Sequence, residues 1–232
     1  MWDLTCKVIK IGSCVIDPGN IASSMIAQLK NKMGIGGGST VTLIKEQNEL
    51  LLIDTGFDRE SDFSRLNRYR NWSLLKSLLL QYSFEPADIT KVFITHFHHD
   101  HYGGIEYFDR AQWFCHQFAF DDFQGPLKDK FTPVQDGDQL LPNVIVKHTP
   151  GHSRGHSSLL WSADNGSVKV AICGDALLSL AWLQSGYIWK FNSDFFDQDL
   201  AKKSINDLLA DTDLIIPGHG QPFFNTRDLK MS

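Results

Sequence analysis

The heptapeptide THFHHDH at 95–101 places four ligand-type side chains, His96, His98, Asp100 and His101, directly after the apolar run KVFI. A fold does not bury such a group unpaired, because doing so costs on the order of several kcal/mol. The segment therefore belongs where a strand delivers polar groups to an opening, and the rest of the chain has to be arranged around that place. Two histidines one residue apart project the same way from an extended backbone, whose side chains alternate with period two. His96 and His98 thus suit one cation. Asp100 and His101 follow a turn of the chain and suit a second cation beside it.

A tetrahedral or five-coordinate ion needs more donors than these. His152 in TPGHS, Asp175 in CGDA and His219 in PGHG supply them, each next to a glycine that permits a sharp inward turn. A lone histidine beside glycine reads as a turn residue, so the weight comes from all four segments occurring together. Imidazole-rich sites with carboxylates suit zinc, and manganese and iron accept such donors too. The expectation is two Zn2+ per chain, with Mn2+ or Fe2+ as alternatives. His99 lies between ligands and is expected to point away, and His116 and His148 read as strand or rim residues. His156 reads either as lining the pocket or as holding the 153–157 loop. Asp54 is expected to orient a ligating imidazole through its second ring nitrogen, a common use of carboxylates near metals, or else to anchor the turn at Thr55 and Gly56.

Around these motifs the chain reads as strands with helices between them. Residues 41–56 form a hairpin with a polar turn at 46–49. Short strands fit 91–95, 112–115, 144–148, 157–161, 168–173 and 213–216. Near-helical spacing of Phe63, Leu66, Trp72, Leu75, Leu78 and Leu79 predicts an amphipathic helix over 61–82, interrupted near Asn71. A second helix is expected over 195–209. Strand-rich halves each closed by helices imply two sheets packed face to face with helices outside, and strand-end loops then gather along one edge.

The chain has 232 residues, 42% of them hydrophobic and 21% charged, which suits a single domain over 1–232. Cys6, Cys14, Cys115 and Cys173 form no CxxC pair, and neither a signal peptide nor a run of about 20 apolar residues is present, so a cytoplasmic protein with free thiols and no membrane span is expected. A net charge of −5 gives no general attraction for a phosphate backbone.

LIDTG at 52–56, THFHHDH, TPGH, GD and PGHG, in this order, resemble the metallo-β-lactamase superfamily. The resemblance implies an α+β fold, the four-layer αββα sandwich. It also implies that His96, His98 and His152 bind a first ion, Asp100, His101 and His219 a second, and that Asp175 bridges them. True β-lactamases with this signature lack the bridging aspartate, and flavodiiron proteins have glutamate at the position of His98. TPGHSRGHSSL at 149–159 is similar to the matching segment of acyl-homoserine-lactone lactonases, although the catalytic tyrosine those enzymes usually carry is Leu178 here. GSTVTLI before LLIDTG and the run DLIIPGHGQPF are similar to members of the metallo-β-lactamase domain-containing protein 1 type, for which the resemblance implies a phosphodiesterase acting on RNA.

Two adjacent divalent ions lower the pKa of a shared water towards neutrality, giving a bridging hydroxide that attacks carbonyl carbon or phosphorus. Asp100 is expected to orient it and to pass a proton to the leaving group. The expected function is a dinuclear zinc hydrolase cleaving a small-molecule ester, lactone, thioester or phosphodiester, with RNA among the candidate substrates. A mononuclear iron enzyme of the persulfide dioxygenase type is the alternative on the same fold, and a metal-stabilised binding module is the non-enzymatic reading. Trp182, Tyr187, Trp189 and Phe191 in the 177–191 segment read as a lip over an apolar substrate moiety, or as cover for the following helix or a homodimer partner. The glycine-rich 17–38 stretch reads as a mobile flap.

Overall fold

The computed structural model describes residues 6–12, 38–57, 65–163, 166–190 and 192–226. The proposed flap at 17–38 thus lies almost wholly outside the described residues, as do Cys14 and Phe191. Strands β1 (Cys6–Lys10), β2 (Val41–Glu46), β3 (Glu49–Ile53), β4 (Lys91–Ile94), β5 (Gln112–His116) and β6 (Phe131–Val134) form one six-stranded sheet in that order. Strands β7 (Gln139–Leu141), β8 (Val144–His148), β9 (Ser157–Ala163), β10 (Val168–Ile172), β11 (Leu214–Ile216) and β12 (Phe223–Phe224) form the second, also in sequence order. The pairings from β3 through β6 are parallel, and so is β10 with β11.

Period-two alternation splits each central strand between two cores. Leu51 and Ile53 of β3 and Phe93 of β4 meet Val144, Val146, Leu159, Val170, Ile172 and Ile216 in the cluster between the sheets. The opposite faces, Leu50, Leu52, Val92 and Ile94, pack outward with Leu75 and Leu79 of helix α1 (Arg65–Leu80). On the other side Ala171, Cys173 and Ile215 pack with Ile205, Leu208 and Leu209 of a helix at Gln198–Asp211. Three clusters between four layers make the expected αββα sandwich. A fully buried leucine or isoleucine contributes about 1.5–3 kcal/mol, so these clusters fix the strand registers that aim the loops.

The helix expected over 61–82 is unbroken across Asn71, a correction to the sequence reading. Asn71 is buried in mid-helix; its propensity cost of well under about 1 kcal/mol is small beside the packing of Leu75 and Leu79. The second helix starts later than expected, at Gln198 instead of 195, because the Asp197 side chain accepts a hydrogen bond from Leu200 N at 2.8 Å and caps it. Short helices α2 (His99–Tyr102), α3 (Gln117–Asp122) and α4 (Leu180–Ser185) precede it, so it is α5 here. Strands β1, β6, β7 and β12 had no clear sequence signal. No helix among the described residues is long and apolar enough to cross a membrane. Cys6, Cys115 and Cys173 are free thiols.

Candidate metal centre

Each expected ligand stands just past the C-terminal end of a strand on one edge of the sandwich. His96 follows β4; His98 is the N-cap residue of α2, which carries Asp100 and His101; His152 follows β8; Asp175 sits in a 3-10 turn, Gly174–Ala176, after β10; His219 follows β11. Ile172 and Ile216 are direct partners across the parallel pair, so Asp175 and His219 leave the sheet from matched positions.

The structure gathers all seven side chains into two adjoining groups. In the first, His98 Nδ1 lies 2.9 Å from His96 Nε2 and 3.1 Å from His152 Nε2. Asp175 Oδ2 is 3.5 Å from His152 Nε2 and 3.9 Å from His96 Nε2. In the second, Asp175 Oδ1 is 3.2 Å from both His101 Nε2 and His219 Nε2. Asp100 Oδ2 is 3.3 Å from His219 Nε2 and 3.7 Å from His101 Nε2. Asp175 thus turns one oxygen to each group.

Asp54 supports both groups from beneath. Its Oδ2 accepts from His101 Nδ1 at 2.7 Å and from the Thr95 hydroxyl at 2.9 Å, while Oδ1 accepts from Thr95 N at 2.9 Å. Since the hydroxyl proton is committed to Asp54, the 3.1 Å contact between Thr95 Oγ1 and His96 Nδ1 requires the imidazole to donate. Both rings are therefore left with Nε2 directed into the site. Asp54 does this from a left-handed backbone, φ 58°, a conformation Asp and Asn tolerate better than most residues. The chain around α2 is pinned as well: Thr55 N and Oγ1 both donate to His101 O at 2.7 Å, and Ser39 Oγ and Phe57 N donate to Asp100 O at 2.8 Å.

His156, fully buried, holds a loop and does not line the opening. Its Nε2 accepts from Ala176 N at 3.2 Å and its Nδ1 donates to Thr149 Oγ1 at 2.9 Å, so it fixes the turn that carries Asp175. Gly174, at φ +50°, leaves no room for a Cβ, which would come within 2.9 Å of His156 Nε2 and 2.8 Å of Thr95. His99 is exposed and stacks near Tyr102, as expected for a residue facing away. His116 and His148 end β5 and β8 and stack on each other at 4.2 Å. In the aromatic segment, Leu177 and Leu183 pack on α5, and Trp182, Tyr187 and Trp189 line a narrow crevice shared with Ala201 and Ile205 of that helix and with His152 and Asp175. Sequence reasoning missed Thr95, Thr149, Asn192 and Asp194; the last accepts from His98 Nε2 at 2.8 Å. Only the alternation of KVFIT, which turns Thr95 inward, signalled any of them.

The electrostatics differ between the groups. Burial and the surrounding imidazoles hold His96 well below the ordinary histidine range, and burial pushes His152 down to about 4 against the pull of Asp175. These are neutral donors, the form that binds a cation. Burial also acts on His101 and His219, but Asp175 and Asp100 outweigh it and hold both imidazoles above their ordinary value. Burial alone would raise Asp175; His219 and His101 instead keep it ionised well below the carboxylate range. The second group thus takes up, as protons, positive charge of the kind a metal would bring. His101 Nε2 and Asp175 Oδ1 are buried, face each other across 3.2 Å in the site, and make no hydrogen bond of good geometry to any of the described residues. Five imidazoles and two carboxylates form two adjoining groups, His96, His98, His152 and Asp175, and Asp100, His101 and His219, each with the donor types that hold a metal ion.

Residues 34–219 match the profile described as the Metallo-beta-lactamase superfamily. Among curated proteins the chain is similar to Metallo-beta-lactamase domain-containing protein 1 of Xenopus laevis, 34% identical over 159 residues that cover 65% of this chain and 62% of that one. It is also similar to an N-acyl homoserine lactonase of Bacillus cereus, 23% identical over 221 residues covering 86% and 85% of the two chains. The chain spans only 39% to 62% of the length of several relatives it matches. Among solved structures it is similar to a metallo-beta-lactamase family protein of Thermus thermophilus, with a TM-score of 0.64, 18% identity, and coverage of 97% of this chain and 76% of that one.

Proposed function

The chain belongs to the metallo-beta-lactamase superfamily, and from that premise we propose that it is a metal-dependent hydrolase that uses two zinc ions to cleave an ester-type bond. The observation that carries this reading is the double facing of Asp175, Oδ2 towards the His96, His98 and His152 group and Oδ1 towards His101 and His219. In this reading His96, His98 and His152 would hold one ion and Asp100, His101 and His219 the other, with Asp175 facing both groups. Zinc ions held there would supply Lewis acidity and bring the pKa of a water near neutrality.

The protein's own contribution is position and proton transfer. Asp100 is held through its backbone carbonyl by Ser39 and Phe57, and its Oδ2 faces His219. From there it orients the attacking water, accepts its proton and delivers that proton to the leaving atom, acting first as base and then as acid. Trp182, Leu183 and Ile188 line a narrow apolar crevice beside His152 and Asp175.

Beside His98 an open groove of about 460 Å³ is lined by Phe97, Phe123 and Phe196, with Asp122, Asp194 and Arg154 at its charged positions and Gln124 and Ser153 as neutral polar ones. Arg154 is already engaged by Asp122 through two bonds of 2.6 and 2.9 Å. Two carboxylates against one committed guanidinium give a phosphate chain little to bind, so the groove favours a neutral ester, lactone or thioester with an apolar portion over RNA. The test is a panel of lactones, thioesters, carboxylic esters, phosphodiesters and RNA offered to protein of measured metal content. Turnover of a neutral ester by protein holding two zinc ions supports the reading. One iron per chain with oxygen consumption, or turnover confined to RNA, overturns it.

A further inference from the structure

The seven residues of the centre are not equally enclosed. Six of them have side chains at most 8% exposed, whereas the His98 side chain is 26% exposed. A histidine at the surface can turn its ring, and only one orientation directs Nδ1 to His96 and His152. The residue that selects this orientation is Asp194, whose Oδ1 accepts from His98 Nε2 at 2.8 Å. Asn192 steadies it: Nδ2 donates to Asp194 Oδ1 at 2.8 Å and also to the carbonyl oxygen of His152 at 2.9 Å. One short stretch of chain therefore grips the side chain of one first-group residue and the backbone of another.

We propose that Asp194, supported by Asn192, is a positioning residue that sets the metal affinity of the half of the centre formed by His96, His98 and His152. This rests on the reading of the site as two ion positions. The carboxylate fixes the ring, selects the tautomer with the proton on Nε2, and makes Nδ1 a stronger donor, as carboxylates paired with ligating imidazoles do. The other half is anchored differently. His101 is held by Asp54, whereas the side-chain bonds of Asp194 run to His98 and Asn192. The division between halves is thus built into two carboxylates: Asp54, enclosed and serving both, and Asp194, half-exposed on the groove wall and serving one.

The experiment is a zinc titration of the whole chain in competition with a chromophoric chelator, for the wild type, Asp194→Asn, Asp194→Ala and Asn192→Ala. Melting of the metal-free proteins is measured in parallel. The two Asp194 variants should lose about 10–100-fold in affinity for one of two ions, keep the other constant, and melt without metal as the wild type does. Asn192→Ala should show a smaller loss confined to the same ion. Affinities for both ions within twofold of the wild type would overturn the proposal. So would an equal weakening of both ions together with a lowered melting point, since that marks a structural role. If the wild type itself takes up fewer than two ions, the dinuclear reading fails. The effect of Asp194 on the ion that does bind is still read from the same curves, and its absence overturns the inference in that case too.

Discussion

Nδ1 of His101 donates to Oδ2 of Asp54 across 2.7 Å, a fully enclosed contact between the site and the end of β3. Burial holds the Asp54 carboxyl above its ordinary value although His101 and Thr95 pull it the other way, so the pair depends on both members being present. Asp54→Asn keeps the size and a residue type tolerant of the left-handed backbone. It nevertheless puts an N–H2 or a weaker acceptor where His101 and Thr95 both donate. The expected result is a 10–100-fold loss of metal affinity, by about the margin such supporting carboxylates carry, with a fall in stability of about 1–3 kcal/mol, read by chelator competition and urea unfolding. Wild-type affinity in this variant would show that Asp54 has no hold on the metal.

Asp100→Asn tests the proton role. If Asp100 carries the proton, kcat should fall about 10²–10⁴-fold in protein reloaded to full metal content, with KM changing far less. Full turnover at full metal content would show that the proton travels by another route.

Loading the centre should acidify the solution. His101 and His219 keep their protons above the ordinary imidazole value in the metal-free chain, and a cation must displace them. Metal affinity should therefore rise with pH through the neutral range, with proton release visible in weakly buffered titrations. An affinity flat from about pH 6 to 8 would contradict this.

His116 gives the fold a separate acid sensitivity. Burial, and then the stacked His148, push it down to about 4 from an unfolded value of 6.5. The unfolded chain binds the proton first as pH falls below 6.5, so this stabilising contribution is present above 6.5 and is lost on the way to about 4. The loss between pH 7 and 5 should be about 2 kcal/mol. His116→Asn retains an acceptor for Phe118 N, which His116 now caps at 3.2 Å. Urea midpoints at the two pH values should lie closer together in the variant; an unchanged gap would assign the acid loss elsewhere.

At Gly218 a Cβ would fall on Asp175 Oδ1 and within 2.8 Å of the Gly174 backbone. Gly218→Ala should therefore displace the one carboxylate that faces both groups. Metal content should drop towards one ion or none, with a stability cost of about 1–3 kcal/mol. Two tightly held ions in this variant would mean that the loop relaxes freely.

What the sequence made legible was whatever local chemistry controls. The alternating strands, the HxHxDH cluster and the glycine-flanked His152, Asp175 and His219 could be read because each signal lies within a few neighbouring residues. The two sheets followed from the spacing of strands. Asp194 was not legible, because its relation to His98 spans 96 residues and lies within a stretch without periodicity. His156 stayed ambiguous for a similar reason: Ala176, whose N–H donates to its ring, lies 20 residues further along the chain. Asn71 misled because a polar residue in mid-helix looks like a break until its burial is known.

Ile172 faces Ile216 across the parallel pair of β10 and β11, and both side chains enter the layer between the sheets. A slip of one residue in that pairing would swap the inner and outer faces of β11 and pull His219 out of step with Asp175. Misregistered chains would thus be catalytically silent as well as badly packed. The accuracy of the reaction is inherited from the hydrocarbon contacts that seat these two isoleucines, and a substitution there can extinguish chemistry without touching a polar atom.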